Sequence, residues 1–137
     1  VIVERQQTQI ELLVKEVETL KKQLNTTNYM KLLTKEILKK LPKLYSSAAH
    51  EDTEKELTFH LKLFCPWSFW TWYIAEYDPE SGIAFGYTIG FENEYGSIDV
   101  KELETVTGPL GLKIERDITF QSIGQKALME KIKKNGQ

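Results

Sequence analysis

WTWYIAEYDPESGIAFGYTIGFENEYGSI, residues 70–98, decides the fold. Its first part, Trp70–Tyr77, is rich in the aromatic and branched residues that suit a pleated surface, and predicts a strand. Asp78-Pro79-Glu80-Ser81-Gly82 reads as a turn: proline presets φ, glycine admits positive φ, and short polar side chains bond nearby backbone. A second strand is expected over Ile83–Phe91, with bulky odd positions (Ile83, Phe85, Tyr87, Ile89, Phe91) and small even ones (Ala84, Gly86, Thr88, Gly90). Glycine weakens a strand unless another group approaches the backbone closely. The bare face is therefore expected to receive a helix of the same domain or a ring from a neighbouring strand, ahead of a ligand. Tyr95–Ile98 adds a short third strand.

Towards the amino terminus, Leu57, Phe59, Leu61 and Leu63 alternate with Thr58, His60 and Lys62, which predicts one half-buried strand ended by Pro66. Met30–Leu41 reads as a basic amphipathic helix with Thr34 as N-cap, a Leu33–Leu38 hydrophobic staple, Ile37, Leu38 and Leu41 inward, and Pro42 as its stop. Ser46–Thr53 reads as a polar loop. Towards the carboxyl terminus, Asp99 and Glu102 open a short helix ending near Val106, and Gly108-Pro109-Leu110-Gly111 makes a corner. Leu112–Phe120 is expected as a fifth strand with Ile114, Arg116, Ile118 and Phe120 on one side. Ser122 and Gln125 are expected to cap a final helix, Ile123–Lys134, with Ile123, Ala127, Leu128 and Ile132 as its apolar stripe. The expected fold is α+β: a small, mostly antiparallel, strongly twisted sheet of about five strands with short flanking helices. The globular part spans 30–121, and 122–137 packs on it.

Residues 1–28 carry a different pattern. Val3, Ile10, Val17 and Leu24 fall at heptad a positions, and Leu13 and Leu20 at d. β-Branched a residues with leucine at d favour a parallel two-stranded coil, so Ile10, Leu13, Val17, Leu20 and Leu24 are expected to form a homodimer seam. The alternative is a helix docked on its own domain. Asn25-Thr26-Thr27-Asn28 breaks the pattern, and Met30 opens a fresh segment. The heptad helix is accordingly expected as part of a longer parent protein or of an extended reading frame.

The 137 residues are 41% hydrophobic and 28% charged, with a net charge of −2. These values suit a soluble globular protein with no global cationic field to draw nucleic acid or acidic lipid. No stretch is long and apolar enough to span a membrane, and a lone Cys65 fits a reducing cytoplasm. Charge is uneven. From Glu76 to Glu104, Glu76, Asp78, Glu80, Glu92, Glu94, Asp99, Glu102 and Glu104 stand against Lys101 alone. These acids are solvated turn residues or an anionic face for a basic partner.

KLLTKEILKKLPKLY (31–45), PWSFWTWY (66–73), FGYTIGFENEYG (85–96) and ELETVTGPLGLKIERDITF (102–120) together resemble a small bacterial family known from plasmids, phages and other mobile elements, and only as a domain of unknown function. The resemblance covers Met30 to about Gln121. It implies cytoplasmic residence and a mobile-element setting, and it implies no reaction. The helix before Met30 is not part of the family pattern.

All three tryptophans, Trp67, Trp70 and Trp72, fall within six residues. Large aromatics dominate the cores of small sheets, but they also stack on bases and anchor interfaces. Lys62 is the lone cation near them, which disfavours nucleic acid. Among the 18 basic residues only Arg5 and Arg116 are arginine. Arg116 in a strand wants a carboxylate, and Glu76 is the candidate partner, as a register-setting pair or as part of an anion grip. His60 and Cys65 have opposite strand parity and make no dyad. His50 stands alone in a polar loop, and no metal-ligand spacing or phosphate loop is present. The candidate binding residues are therefore Trp67, Trp70, Trp72, Glu76 and Arg116, with no catalytic residue, metal or cofactor. The expected function is a non-enzymatic protein-interaction module of a phage or plasmid, acting on a host defence or replication factor. The alternatives are a single-stranded nucleic-acid accessory protein and an enzyme with a carboxylate–arginine site.

Overall fold

A long antiparallel meander organises the domain in the computed structural model, which describes residues 9–17, 31–52 and 54–135. The chain forms two units, Val1–Met30 and Lys31–Gln137. In the first, residues 9–17 are helical (α1), and Ile10, Leu13 and Val17 are exposed. Leu20 and Leu24 of the expected seam lie outside the described residues.

In the second unit, Thr34 caps helix α2 (Lys35–Lys40) by accepting the Ile37 N–H at 3.2 Å. The helix starts at this cap, because Thr34 itself is extended and residues 31–33 are not helical; the expected start at Met30 lies outside the described residues. Leu32, ahead of the helix, is buried in the core, whereas Leu38 is exposed and not inward as expected. Leu41 is extended before Pro42, as a residue preceding proline should be.

The main sheet has the order β5-β4-β3-β2-β6, antiparallel throughout: β2 Leu61–Phe64, β3 Thr71–Asp78, β4 Ile83–Ile89, β5 Asn93–Asp99 and β6 Glu115–Arg116. A separate ribbon pairs β1 (Thr58–Phe59) with β7 (Ile123–Gly124). The expected single strand over Leu57–Leu63 is thus two strands, broken at His60. The break sends equal-parity residues to different places. Leu57 and Phe59 join a core with Tyr73, Ala75, Tyr87, Ile89 and helix residues Leu128 and Ile132. Leu61 and Leu63 join the core of Leu32, Cys65, Ile74, Ala84, Ile98, Val100 and Ile114. The sheet carries one core on each face.

Helix α3 (Val100–Thr105) is capped by Asp99, which accepts the Glu102 N–H at 3.0 Å. The chain then turns through Pro109–Gly111, where Leu110 (φ 57) and Gly111 (φ 75) are left-handed. The expected fifth strand, Leu112–Phe120, shrinks to β6. Its end has a local cause: the Asp117 carboxylate takes both the N–H (2.9 Å) and the hydroxyl (2.6 Å) of Thr119, curling the chain away from the ladder. Ile118 is consequently exposed. Helix α4 (Gln125–Lys134) starts two residues later than expected, since Ile123–Gly124 are held in the β1 ribbon. Leu128 and Ile132 are its buried stripe, while Ala127 is exposed.

Candidate functional site

Strand β3 positions both polar and aromatic candidates, and a bulge within it decides which way they point. Ile74 pairs with Gly86, but Glu76 pairs with Phe85, leaving Ala75 without an opposite number. Unbroken alternation would put Glu76 on the face of Ile74. The extra residue flips it to the face of Tyr73, Phe85 and Tyr87.

There the Glu76 side chain is fully buried, at 0% exposure. Both carboxylate oxygens are occupied by one short loop. The Tyr45 N–H donates to Oε1 at 3.0 Å, the Ser47 N–H to Oε2 at 2.8 Å, and His50 Nε2 lies 2.7 Å from Oε1. The loop is shaped for this. Tyr45 is left-handed (φ 61), its hydroxyl is 3.3 Å from the Ser97 hydroxyl, and the His50 ring packs edge-on against Phe85 at 4.7 Å. Among the described residues, no buried side-chain polar atom lacks a partner. Glu76 therefore works as a clasp that fastens loop 45–50 to the sheet, with acceptors already filled.

The sequence pairs Glu76 with Arg116; the structure keeps them apart. Arg116 lies opposite Leu63, and Leu63 opposite Trp72. That places it two strands from β3 and four residues from Glu76, roughly 13 Å along the strand and about 10 Å across. The faces differ too, because Leu63 belongs to one core and Phe85 packs on the other. Arg116 Nη1 instead donates to the Lys31 carbonyl, tying the start of the domain to the sheet edge. His50, read from sequence as a lone loop residue, is the side chain that meets Glu76.

The three tryptophans do gather, half-buried, against the Leu63–Ile74 core. Trp70 and Trp72 share a face, as their parity requires, with ring centres 6.0 Å apart and planes at 27°. Trp70 lies over Gly90, where a β-carbon would collide with its ring, so the bare face of β4 does receive a neighbouring strand's ring. Gly86, by contrast, meets the Tyr73 carbonyl, and a β-carbon would overlap that backbone atom. Trp67 packs on Gly108, where a β-carbon would sit 2.5 Å from the indole.

The outward part of the aromatic cluster is phenylalanine, which the sequence reading missed. Phe69 stacks on Trp70 (6.3 Å, 23°), and Phe91 stands edge-on to it (5.3 Å, 85°). Phe69 and Phe91 also touch each other edge-on at 6.3 Å. Phe91 is 87% and Phe69 58% exposed. Exposed Glu92 and Glu94 follow Phe91 directly. Phe91 is expected as the last bulky position of its strand, but β4 ends at Ile89 and leaves the ring outside the pleat; Phe69 sits just before β3.

With this geometry in place, the chain belongs to the family described as "Protein of unknown function (DUF2958)", whose model matches residues 32–134. No curated protein and no solved structure matches it.

Proposed function

Starting from a chain of this family, we propose that it is a non-enzymatic protein-interaction module of a mobile genetic element, phage or plasmid, acting in the cytoplasm on a host defence or replication factor. The observation that carries the reading is the Phe69–Trp70–Phe91 ledge. Two exposed rings are braced by a half-buried indole, and rigid aromatic anchors of this kind dominate interface energetics. Glu92 and Glu94 beside it fit a partner with an apolar patch rimmed by lysine or arginine. They also repel phosphate, which sets the ledge apart from a single-strand nucleic-acid groove. A carboxylate–arginine active site is not supported, since Glu76 and Arg116 face opposite sides of the sheet. Pairing of two chains through Ile10, Leu13, Val17, Leu20 and Leu24 would present two ledges and add avidity.

A photo-reactive phenylalanine placed at position 91 tests this inside cells of the source bacterium. The expected result is a discrete protein adduct that is absent when the probe is at Lys133 and is lost with E92K/E94K. Adducts with nucleic acid, or none that depend on Glu92 and Glu94, would contradict it. Light scattering of the chain with and without residues 1–28 reports the pairing, with a halved mass on truncation as the expected outcome.

A further inference from the structure

A second surface lies far from the ledge in sequence and is of opposite charge. Between α4 and residues 117–123 runs a cleft of about 680 Å3, within the range of small-molecule sites. One wall is apolar: Phe120, Ile123, Leu128 and Ile132. The charged groups lining it are Lys62, Lys131 and Lys134 against Asp117, three cations to one anion in a chain of net charge −2. Asp117 is already engaged by Thr119, and by Lys62 at 3.7 Å. Lys131 and Lys134 lie three apart on α4, hence side by side, and form no ion pair among the described residues.

Tyr73 forms part of the lining. It is 5% exposed, and its hydroxyl has no hydrogen-bond partner among the described residues. Yet among the described residues no buried side-chain polar atom is left without a partner. The hydroxyl must therefore open to solvent, and the cleft that Tyr73 lines is where it opens. A nearly buried phenol normally finds a protein partner, so this one is a donor held ready. The helix dipole accounts for lysines in the last turn of α4, but not for an unpaired phenol at the edge of a cleft.

We propose that this cleft binds a small aromatic phosphate, of the nucleoside- or aryl-monophosphate class. Lys131 and Lys134 hold the phosphate, the Tyr73 hydroxyl donates to it, and the ring lies against Phe120, Ile123 and Leu128. The site is independent of the Phe69–Phe91 ledge.

Phenyl phosphate titrated into the isotope-labelled full chain, followed by amide NMR, tests the proposal. Shifts are expected at Tyr73, Leu128 and Lys131. K131E/K134E should weaken binding about tenfold or more, and Tyr73→Phe, which keeps the ring, several-fold. Lys133→Glu changes charge on the same turn but lies outside the lining, and should leave affinity within about twofold. F69S/F91S should leave it unchanged. Dispersed spectra of each variant confirm folding. An absence of shifts at those residues up to about 10 mM ligand, or equal weakening by Lys133→Glu and K131E/K134E, would overturn the site.

Discussion

The two ends of β3 are built in opposite ways. At its carboxyl end a carboxyl side chain is buried with both oxygens engaged, by two loop N–H groups and an imidazole. At its amino end apolar rings stand in water, braced from behind by an indole. The first arrangement spends its chemistry on holding a loop. The second leaves surface that the fold does not need. The contrast shows why the most conspicuous ionisable residue of the domain is a poor guide to its function. A buried carboxylate is informative when something about it is unsatisfied, and nothing about Glu76 is.

The largest effect is expected at Glu76. Glu76→Ala strands two part-buried N–H groups and releases the left-handed Tyr45, which should cost about 3 kcal/mol or more. Calorimetry should show melting lowered by more than about 10 °C. A change under about 2 °C would remove the clasp from the account. The two glycines of β4 face different neighbours, backbone at Gly86 and an indole at Gly90. Gly86→Ala drives a β-carbon into the Tyr73 carbonyl, and strand backbone cannot step aside. Gly90→Ala meets a Trp70 ring that can tilt. Destabilisation of about 3 kcal/mol or more for the first and about 1 kcal/mol for the second is expected from denaturant unfolding. Equal costs would mean that Trp70 is locked as firmly as the strand.

A smaller effect is expected at His60, whose pKa is held below its usual 6.5 by burial and then by the charge of Lys40. A histidine with a lowered folded pKa binds fewer protons folded than unfolded in mild acid. Its contribution is complete above pH 6.5 and is lost as pH falls from there through the folded value. His60→Gln, which can still bond the Ser122 hydroxyl, should flatten the fall in melting temperature between about pH 7 and 5. Parallel pH curves for the two proteins would show that other groups set the acid response.

Much of the meander was legible because local signals agree there. Aromatic and branched content marks β3, large–small alternation marks β4, Asp78–Gly82 the turn, and Thr34 and Asp99 the caps; of the two visitors expected on the small face of β4, a helix or a ring, the ring of Trp70 covers Gly90. The failures share a cause: each depended on partners distant in sequence or on a one-residue irregularity. Periodicity carries no mark of the bulge at Ala75 that turns Glu76 away from the side of Arg116, and the side chain that meets Glu76 is 26 residues away in a loop. The same holds for the break at His60, where the competing claims of β3 and β7 divide one apolar run between two cores. The aromatic cluster was visible in sequence, but which rings face water was not, since Trp70 and Phe69 differ by one position in a turn.

The most direct test of the ledge measures stability and contact on one variant. F69S/F91S removes the two exposed rings and leaves the core untouched. The account predicts stability within about 0.5 kcal/mol of the parent, as expected for surface positions. It also predicts loss of the adduct captured by a photo-reactive group at position 68, the exposed neighbour of Phe69. A folded double variant that still forms the adduct, or one that unfolds because the rings were structural, would contradict the claim that the domain is held by another protein at this face.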